Sequence, residues 1–242
     1  MEPLTRGLYT ARLVQGDDDL TEAQALRHLA FRRGAGRDQD GFDALCQHLL
    51  VHEAGGTLVA CCRLQEFGSG HDLSTSYAAQ FYDLARLSGF AGPRMELGRF
   101  CLHPARRDPD ILRLTWGALT AIVDAAGVGL LFGCASFAGA DPVPHLAALE
   151  ALRPYVAPQA LAPGPRAPER VVLPQGGDGA VSGLPPLLRS YLAMGAWVSD
   201  HAVIDRDLDT LHVFTGLVLA EVPAARARSL RAIAEPSAAP AS

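Results

Sequence analysis

The sequence lacks the features that announce several common functions. It has no CxxC pair, and its five cysteines, Cys46, Cys61, Cys62, Cys101 and Cys134, are an odd number that suggests neither a zinc site nor a disulfide framework. His28, His48 and His103 form no helical ligand pair, so no metal is expected. A net charge of −5 argues against general nucleic-acid binding, whose affinity comes from neutralising phosphates with cations. The start "MEPLTRGLYTAR" has no basic run followed by an apolar segment, which speaks against an ordinary secretory signal. The longest apolar tract, 117–140, is broken by Asp124 and several glycines and makes a poor membrane span. A cytoplasmic protein is therefore expected, with Cys61 and Cys62 pointing to opposite faces of a strand as small hydrophobes.

What is present supports a sizeable core. Hydrophobic residues make up 49% of 242 positions, and one domain over 1–224 is the expectation. "LYTARLV" (8–14) reads as a strand. Thr21 and Gln24 fit a capping box opening a helix that runs to Phe31. A short helix "DGFDALCQH" leads to a hairpin: "LLVH", a turn at "EAGG", then "TLVACCRLQ". On its second strand Thr57, Val59, Cys61, Arg63 and Gln65 alternate onto one face. A helical segment is expected near 74–87, an amphipathic helix at "PDILRLTWGALTAIVDAAG", and a buried strand at "LLFGCASF". Residues 157–186, dense in Pro and Gly, read as a loop excursion. The helix "LLRSYLAMG" and a final hairpin follow, and 225–242 read as a basic, then Ala/Pro/Ser-rich, disordered tail.

The stretch "MELGRFCLHPARRD" (95–108) poses the chemical question, because it carries Glu96 and Arg99 into an otherwise apolar strand. Such a pair either holds the core together as a structural ion pair or lines a site at the strand's end. Gly98 is a candidate bulge, which would turn Glu96 and Arg99 toward one cavity despite their opposite parity.

The order of these elements resembles the GNAT-type N-acyltransferases. That resemblance implies an α/β (α+β) fold with helices on both faces of a central mixed sheet, and a V-shaped cleft where the fourth strand splays from the fifth. "ELGRFCLHPARR" occupies the place of the fourth strand and "LLFGCASF" that of the fifth. Arg27 with Phe31, Asp40 with Asp43, Arg63, and Glu96 with Arg99 look like the acyl-homoserine-lactone synthases. "FDALCQHLLV", "ELGRFCLHPARR", "LFGCASF" and "LPPLLRSYLAMGAWVSDHAVID" are closer to the L-ornithine N-alpha-acyltransferases that make lyso-ornithine lipid. The glycine-rich phosphate loop of acetyl-CoA-using relatives is replaced by "RRDPDIL". Asp108 and Asp110 there would repel a CoA pyrophosphate.

The implied reaction moves a 3-hydroxyacyl group from the phosphopantetheine of acyl carrier protein to the α-amine of ornithine, with no tightly bound cofactor. Glu96 is the expected base and Tyr191 the expected proton donor to the leaving thiolate, with a helix aromatic packed in the core as the equal alternative for Tyr191. Backbone amides from Gly98 through Phe100 to Cys101 would stabilise the oxyanion. Arg63 or Arg99 would hold the substrate carboxylate and Asp40 or Asp43 the second ammonium, although Asp40 is equally suited to capping the helix that begins there. Phe100, Trp116 and Phe132 are acyl-channel candidates, with plain core packing as the alternative. Arg106, Arg107 and Arg113 offer a docking patch for an acidic carrier, and the tail arginines suggest peripheral contact with anionic membrane. The competing readings are a homoserine-lactone synthase using S-adenosylmethionine and a non-catalytic acyl-carrier or lipid-binding module.

Overall fold

In a computed structural model, residues 1–32, 34–176 and 183–234 are described. The chain forms two compact units, one of residues 1–65, 97–127 and 224–242 and another of 66–96 and 128–223. The chain passes between them within strands at 65/66 and 96/97, and in connecting segments at 127/128 and 223/224.

The first unit contains a meander of β1 (Leu4–Arg6), β2 (Tyr9–Leu13), β3 (Gln47–Glu53) and β4 (Leu58–Phe67, to Gln65), all antiparallel. The second half of β6 (Arg94–Leu102) lies next to β4. The hairpin is where the sequence placed it, but its register slips between Val51 and His52. The extra residue is Val59, whose carbonyl accepts from the His103 amide. This bulge resets the alternation, so Leu58 joins Cys61 on one face, with Leu50, Cys101, and Ala23 and Leu26 of α1 (Asp17–Phe31).

Helix α1 begins four residues before the expected cap. Gly16 is its N-cap, and Asp17, Asp18 and Asp19 fill the first turn, where the helix dipole favours carboxylates. Thr21 lies within the helix, its hydroxyl accepting from Arg37. The expected helix at 40–48 is a single 3-10 turn, Asp43–Leu45. Helix α2 (Pro109–Ala125) starts at an Asp108 cap and packs on β1, β2 and β3. The tail is ordered as α5 (Ala224–Ala234), which packs on α2, with Arg231 paired to Asp124 and Ile233 against Gly117. Residues 235–242 lie outside the described residues.

The second unit contains the start of β6, which pairs in parallel with β7 (Leu130–Ala138) over Arg94↔Leu130 to Glu96↔Phe132. Antiparallel β11 (Thr210–Val218), β10 (Trp197–Asp205) and the short β9 (Arg170–Val172) continue in that spatial order. One face of these strands carries Phe132, Phe214 and Trp197 under Tyr82, Leu84 and Leu87; the other packs Val213 and Leu211 on Leu149, Leu152 and Leu188. The expected helix at 74–87 is absent. Its place is taken by 3-10 turns at Ala78–Gln80 and Ala85–Gly89 flanking β5 (Tyr82–Asp83). The Pro/Gly-rich stretch is also packed in its described part. Gly164–Pro165 forms β8 beside β5, Arg170–Val172 is β9, and Ala167, Leu173 and Leu184 are buried. Proline removes donors, yet the Arg166 and Ala167 amides both reach the Phe81 carbonyl. Residues 177–182 of that stretch lie outside the described residues.

Candidate active site

In the first unit the residues singled out from sequence meet in one buried ionic network. All 21 basic side chains other than histidine are arginines, so every such cation is a planar fork able to hold carboxylates in two-point geometry. Arg27, only 1% exposed, donates from Nη1 and Nη2 to both oxygens of Asp43 at 2.8 and 2.9 Å, and from Nη2 to the Asp38 carbonyl. Arg63 reaches Asp40 at 2.6 Å and Asp43 at 3.2 Å. Arg99 donates to Asp38 at 2.8 Å and to Asp40 at 3.4 Å. Arg32 joins from a more exposed position, its Nε 3.5 Å from Asp38, so four guanidiniums meet three carboxylates and each carboxylate faces at least two arginines, the pairing that lets buried charges persist.

The geometry follows from the local chain. Arg63 and Cys61 share a face of β4 beyond the bulge, which brings Arg63 to α1 and Arg27. Gly98 leaves room for the Arg63 stem: a Cβ there would lie 3.3 Å from Nε and 3.4 Å from Cγ. Arg99 itself has φ of +50°, the left-handed conformation that costs a non-glycine residue roughly 1 kcal/mol or more. The irregularity expected at Gly98 is therefore centred one residue later.

Asp40 plays the capping role weighed for it, since its Oδ1 accepts from the Phe42 amide, and the same oxygen also accepts from Arg63. Its side chain is 25% exposed, against 6% for Asp43 and 3% for Asp38, so Asp40 is the carboxylate of this network most open to an incoming group. Burial pushes the Asp43 carboxyl up, but the hydrogen bonds and charge of Arg27, with help from Gln24 and Arg63, outweigh it and hold the group at about 2. Burial lowers the pKa of His48, whose Nε2 contacts the Asp43 carbonyl at 3.1 Å.

Glu96 lies in the second unit and is 4% exposed. Its Oε2 accepts from the Tyr77 amide at 2.8 Å and its Oε1 from the Ala78 amide at 2.7 Å. Both oxygens therefore accept from fixed donors, an arrangement suited to an ionised, acceptor-only carboxylate. Sequence reasoning missed these donors because they are backbone groups and carry no side-chain signature.

Tyr191 is buried in the last turn of α4 (Pro186–Leu192), which is followed by a turn to Gly195. Gly195 has φ of +94°, and the amides of Met194 and Ala196 both return to the Tyr191 carbonyl, fixing this residue at the helix terminus. Phe100 and Trp116 meet in the first unit with ring centroids 5.8 Å apart. Phe132 sits in the core of the second, 1% exposed and stacked on Phe214, so in this structure it is a packing residue. Cys101 lies 3.5 Å from Cys61, sulfur to sulfur, and the contact together with burial raises the Cys61 thiol well above its ordinary value.

The arginines after β6 are partly engaged within the chain: Arg106 with Glu53 at 3.1 Å and Arg113 with Asp110 at 2.8 Å, while Arg107 is exposed. At the start of α2, Asp108 accepts from the Asp110 amide and from the Tyr9 hydroxyl, bonds that lower its pKa. The chain's own carboxylate therefore occupies part of the helix terminus that would otherwise attract a phosphate. Among the described residues no helix is long and apolar enough to cross a membrane, and no cluster of metal-ligating side chains occurs.

Residues 22–117 match the acetyltransferase (GNAT) domain family. The solved structure of FeeM, an N-acyl amino acid synthase from uncultured soil microbes, superposes with a TM-score of 0.55 at 10% identity, over 88% of this chain and 93% of that one, a likeness of fold. The L-ornithine N(alpha)-acyltransferase of Rhodobacter capsulatus is 30% identical over 227 residues, covering 85% of this chain and 88% of the relative. The enzyme of the same name from Rhizobium meliloti is 30% identical over 240 residues, covering 87% of this chain and 80% of its own length. On these alignments the chain belongs to the L-ornithine N(alpha)-acyltransferase family of GNAT-type acyltransferases.

Proposed function

We propose that this acyltransferase moves a 3-hydroxyacyl group from the phosphopantetheine thioester of acyl carrier protein onto the α-amine of L-ornithine, forming an amide and releasing the carrier thiol. The observation that carries this reading is identity at the 30% level along 85% or more of the chain with enzymes of that name. An α-ammonium with a pKa near ~8 is mostly protonated at neutral pH and must lose a proton before attack. Glu96 is the acceptor of that proton, directly or through water. The amine then adds to the thioester carbonyl, the oxyanion draws on amides of the irregular stretch Gly98–Cys101, and collapse expels the thiolate, which Tyr191 protonates.

In the ionic network Arg63 and Arg99 are already bonded to aspartates, so a substrate joins an assembled network. Asp40 suits the side-chain ammonium of ornithine, and the arginine forks that it shares suit the carboxylate. Asp108 at the α2 terminus disfavours a CoA pyrophosphate and supports a carrier-protein donor, with Arg106, Arg107 and Arg113 as its docking patch. No cofactor is needed for such a transfer. The exposed Arg226 and Arg228 of α5 suit peripheral contact with anionic lipid. The test is incubation of purified protein with 3-hydroxyacyl carrier protein and ornithine, read by product mass. An acyl-ornithine is expected; intact thioester after prolonged incubation contradicts the proposal.

A further inference from the structure

Arg94 and Glu96 stand two apart on β6 and therefore share a face of the strand. Both bond to the same loop. Arg94 is fully buried and its partners are three carbonyl oxygens: Gly68 and His71 at 2.9 Å on one flank, and Leu87 at 3.1 Å on the other. A buried guanidinium that meets only backbone carbonyls is costly, since no carboxylate offsets its desolvation. Burial indeed lowers its pKa. What that cost secures is the placement of the loop between the two flanks, and at its centre lie the amides that hold Glu96.

That centre is braced from other sides. The Ala79 amide donates to Ser76 Oγ, Arg166 donates to the Ala79 carbonyl at 2.7 Å, and the Phe81 carbonyl accepts from the Arg166 and Ala167 amides. The Tyr77 ring packs edge-on against Phe81, and its hydroxyl reaches Asp205 at 3.4 Å. Consecutive amides opening a 3-10 turn are a preformed carboxylate cradle. A proton acceptor must be held to within a fraction of an ångström of the attacking amine, and a glutamate side chain has three rotatable bonds to restrain.

We propose that Tyr77 and Ala78, through their backbone N–H groups, are positioning residues for Glu96, and that Arg94 holds the loop presenting them. The inference rests on the reading of Glu96 as the proton acceptor. Tyr77 has φ of −60°, which suits proline, so Tyr77→Pro deletes one of the two N–H donors. Tyr77→Ala removes the same ring and keeps the donor, and is the reference. The assay is steady-state acylation of ornithine by 3-hydroxyacyl carrier protein.

Relative to Tyr77→Ala, Tyr77→Pro lowers kcat at least about tenfold while KM for ornithine stays within about twofold, the pattern of a group acting in the transition state. Equal kcat in the two variants, or parallel changes in kcat and KM, overturns the proposal. Should Tyr77→Pro lose its melting transition, Arg94→Lys and Arg94→Met decide. Lysine keeps donors for the carbonyls and restores kcat at least about fivefold over methionine, and equal values overturn the proposal. Glu96→Gln, run in parallel, separates the two layers: an inactive Glu96→Gln with unaffected Tyr77→Pro overturns the positioning alone. A fully active Glu96→Gln overturns the proton-acceptor reading and the positioning together.

Discussion

Replacing Asp43 by asparagine tests the ionic network most sharply. Asp43 is 7% exposed, receives both terminal nitrogens of Arg27 and one of Arg63, and titrates at about 2 against an ordinary 3.8. Because its folded pKa is depressed, its ionised form contributes stability that is fully present above about pH 4 and is lost as the pH falls through about 2. The depression corresponds to about 2 kcal/mol at neutral pH and about 1 kcal/mol at pH 3. Asparagine keeps the shape and one acceptor but leaves the buried arginines one charge short, which by itself costs about 3 kcal/mol in comparable sites. Urea unfolding of wild type and Asp43→Asn at pH 7 and pH 3 should therefore show a deficit of roughly 2–3 kcal/mol that shrinks by about 1 kcal/mol in acid. A deficit below about 1 kcal/mol at pH 7, or one that grows toward pH 3, refutes the network as described.

Other perturbations read different parts of the structure. Gly216→Ala places a Cβ 2.3 Å from the Trp197 ring, so loss of more than about 3 kcal/mol, or failure to fold, is expected, measured by thermal melting. In the native protein the half-buried Cys46 and Cys134 should react with an alkylating reagent well before the buried Cys61, Cys62 and Cys101, which become available on unfolding; five equally fast thiols by mass spectrometry would contradict this burial. Glu96→Gln, whose side-chain NH2 would face one of the two backbone N–H donors, should lower kcat at least about tenfold and also lower the melting temperature of a protein that still folds; a folded variant of full activity removes Glu96 from the mechanism.

Legibility in the sequence depended on whether the information was carried by side chains. The β3–β4 hairpin was readable because apolar runs bracket "EAGG", and α2 because its apolar residues recur at amphipathic helical spacing. The bulge at Val59 was invisible, since a register slip leaves no residue signature in an all-apolar run. The start of α1 was misplaced because Thr21 and Gln24 form a plausible cap, whereas the three aspartates that begin the helix act through the dipole. Composition misled twice: the described part of the Pro/Gly-rich stretch pairs with β5 and β10, and the tail as far as Ala234 is helical because α2 offers it a surface.

Of the site, Arg63, Arg99, Asp40 and Asp43 do converge, and Arg27 joins them. Asp38 was not anticipated, although its place in "RDQD" just ahead of the hairpin is the kind of signal that could have drawn attention to it. The donors to Glu96 could not be found, because any residue supplies an amide.

The most direct test of the central claim is a competition. Purified protein is given 3-hydroxyacyl carrier protein, the matching acyl-CoA, and equal amounts of ornithine, lysine, glutamine and S-adenosylmethionine, and products are identified by mass and fragmentation. The account predicts one dominant product, ornithine acylated on its α-nitrogen, drawn from the carrier-protein donor. A lactone, or an acyl-lysine or acyl-glutamine formed as readily, would contradict it.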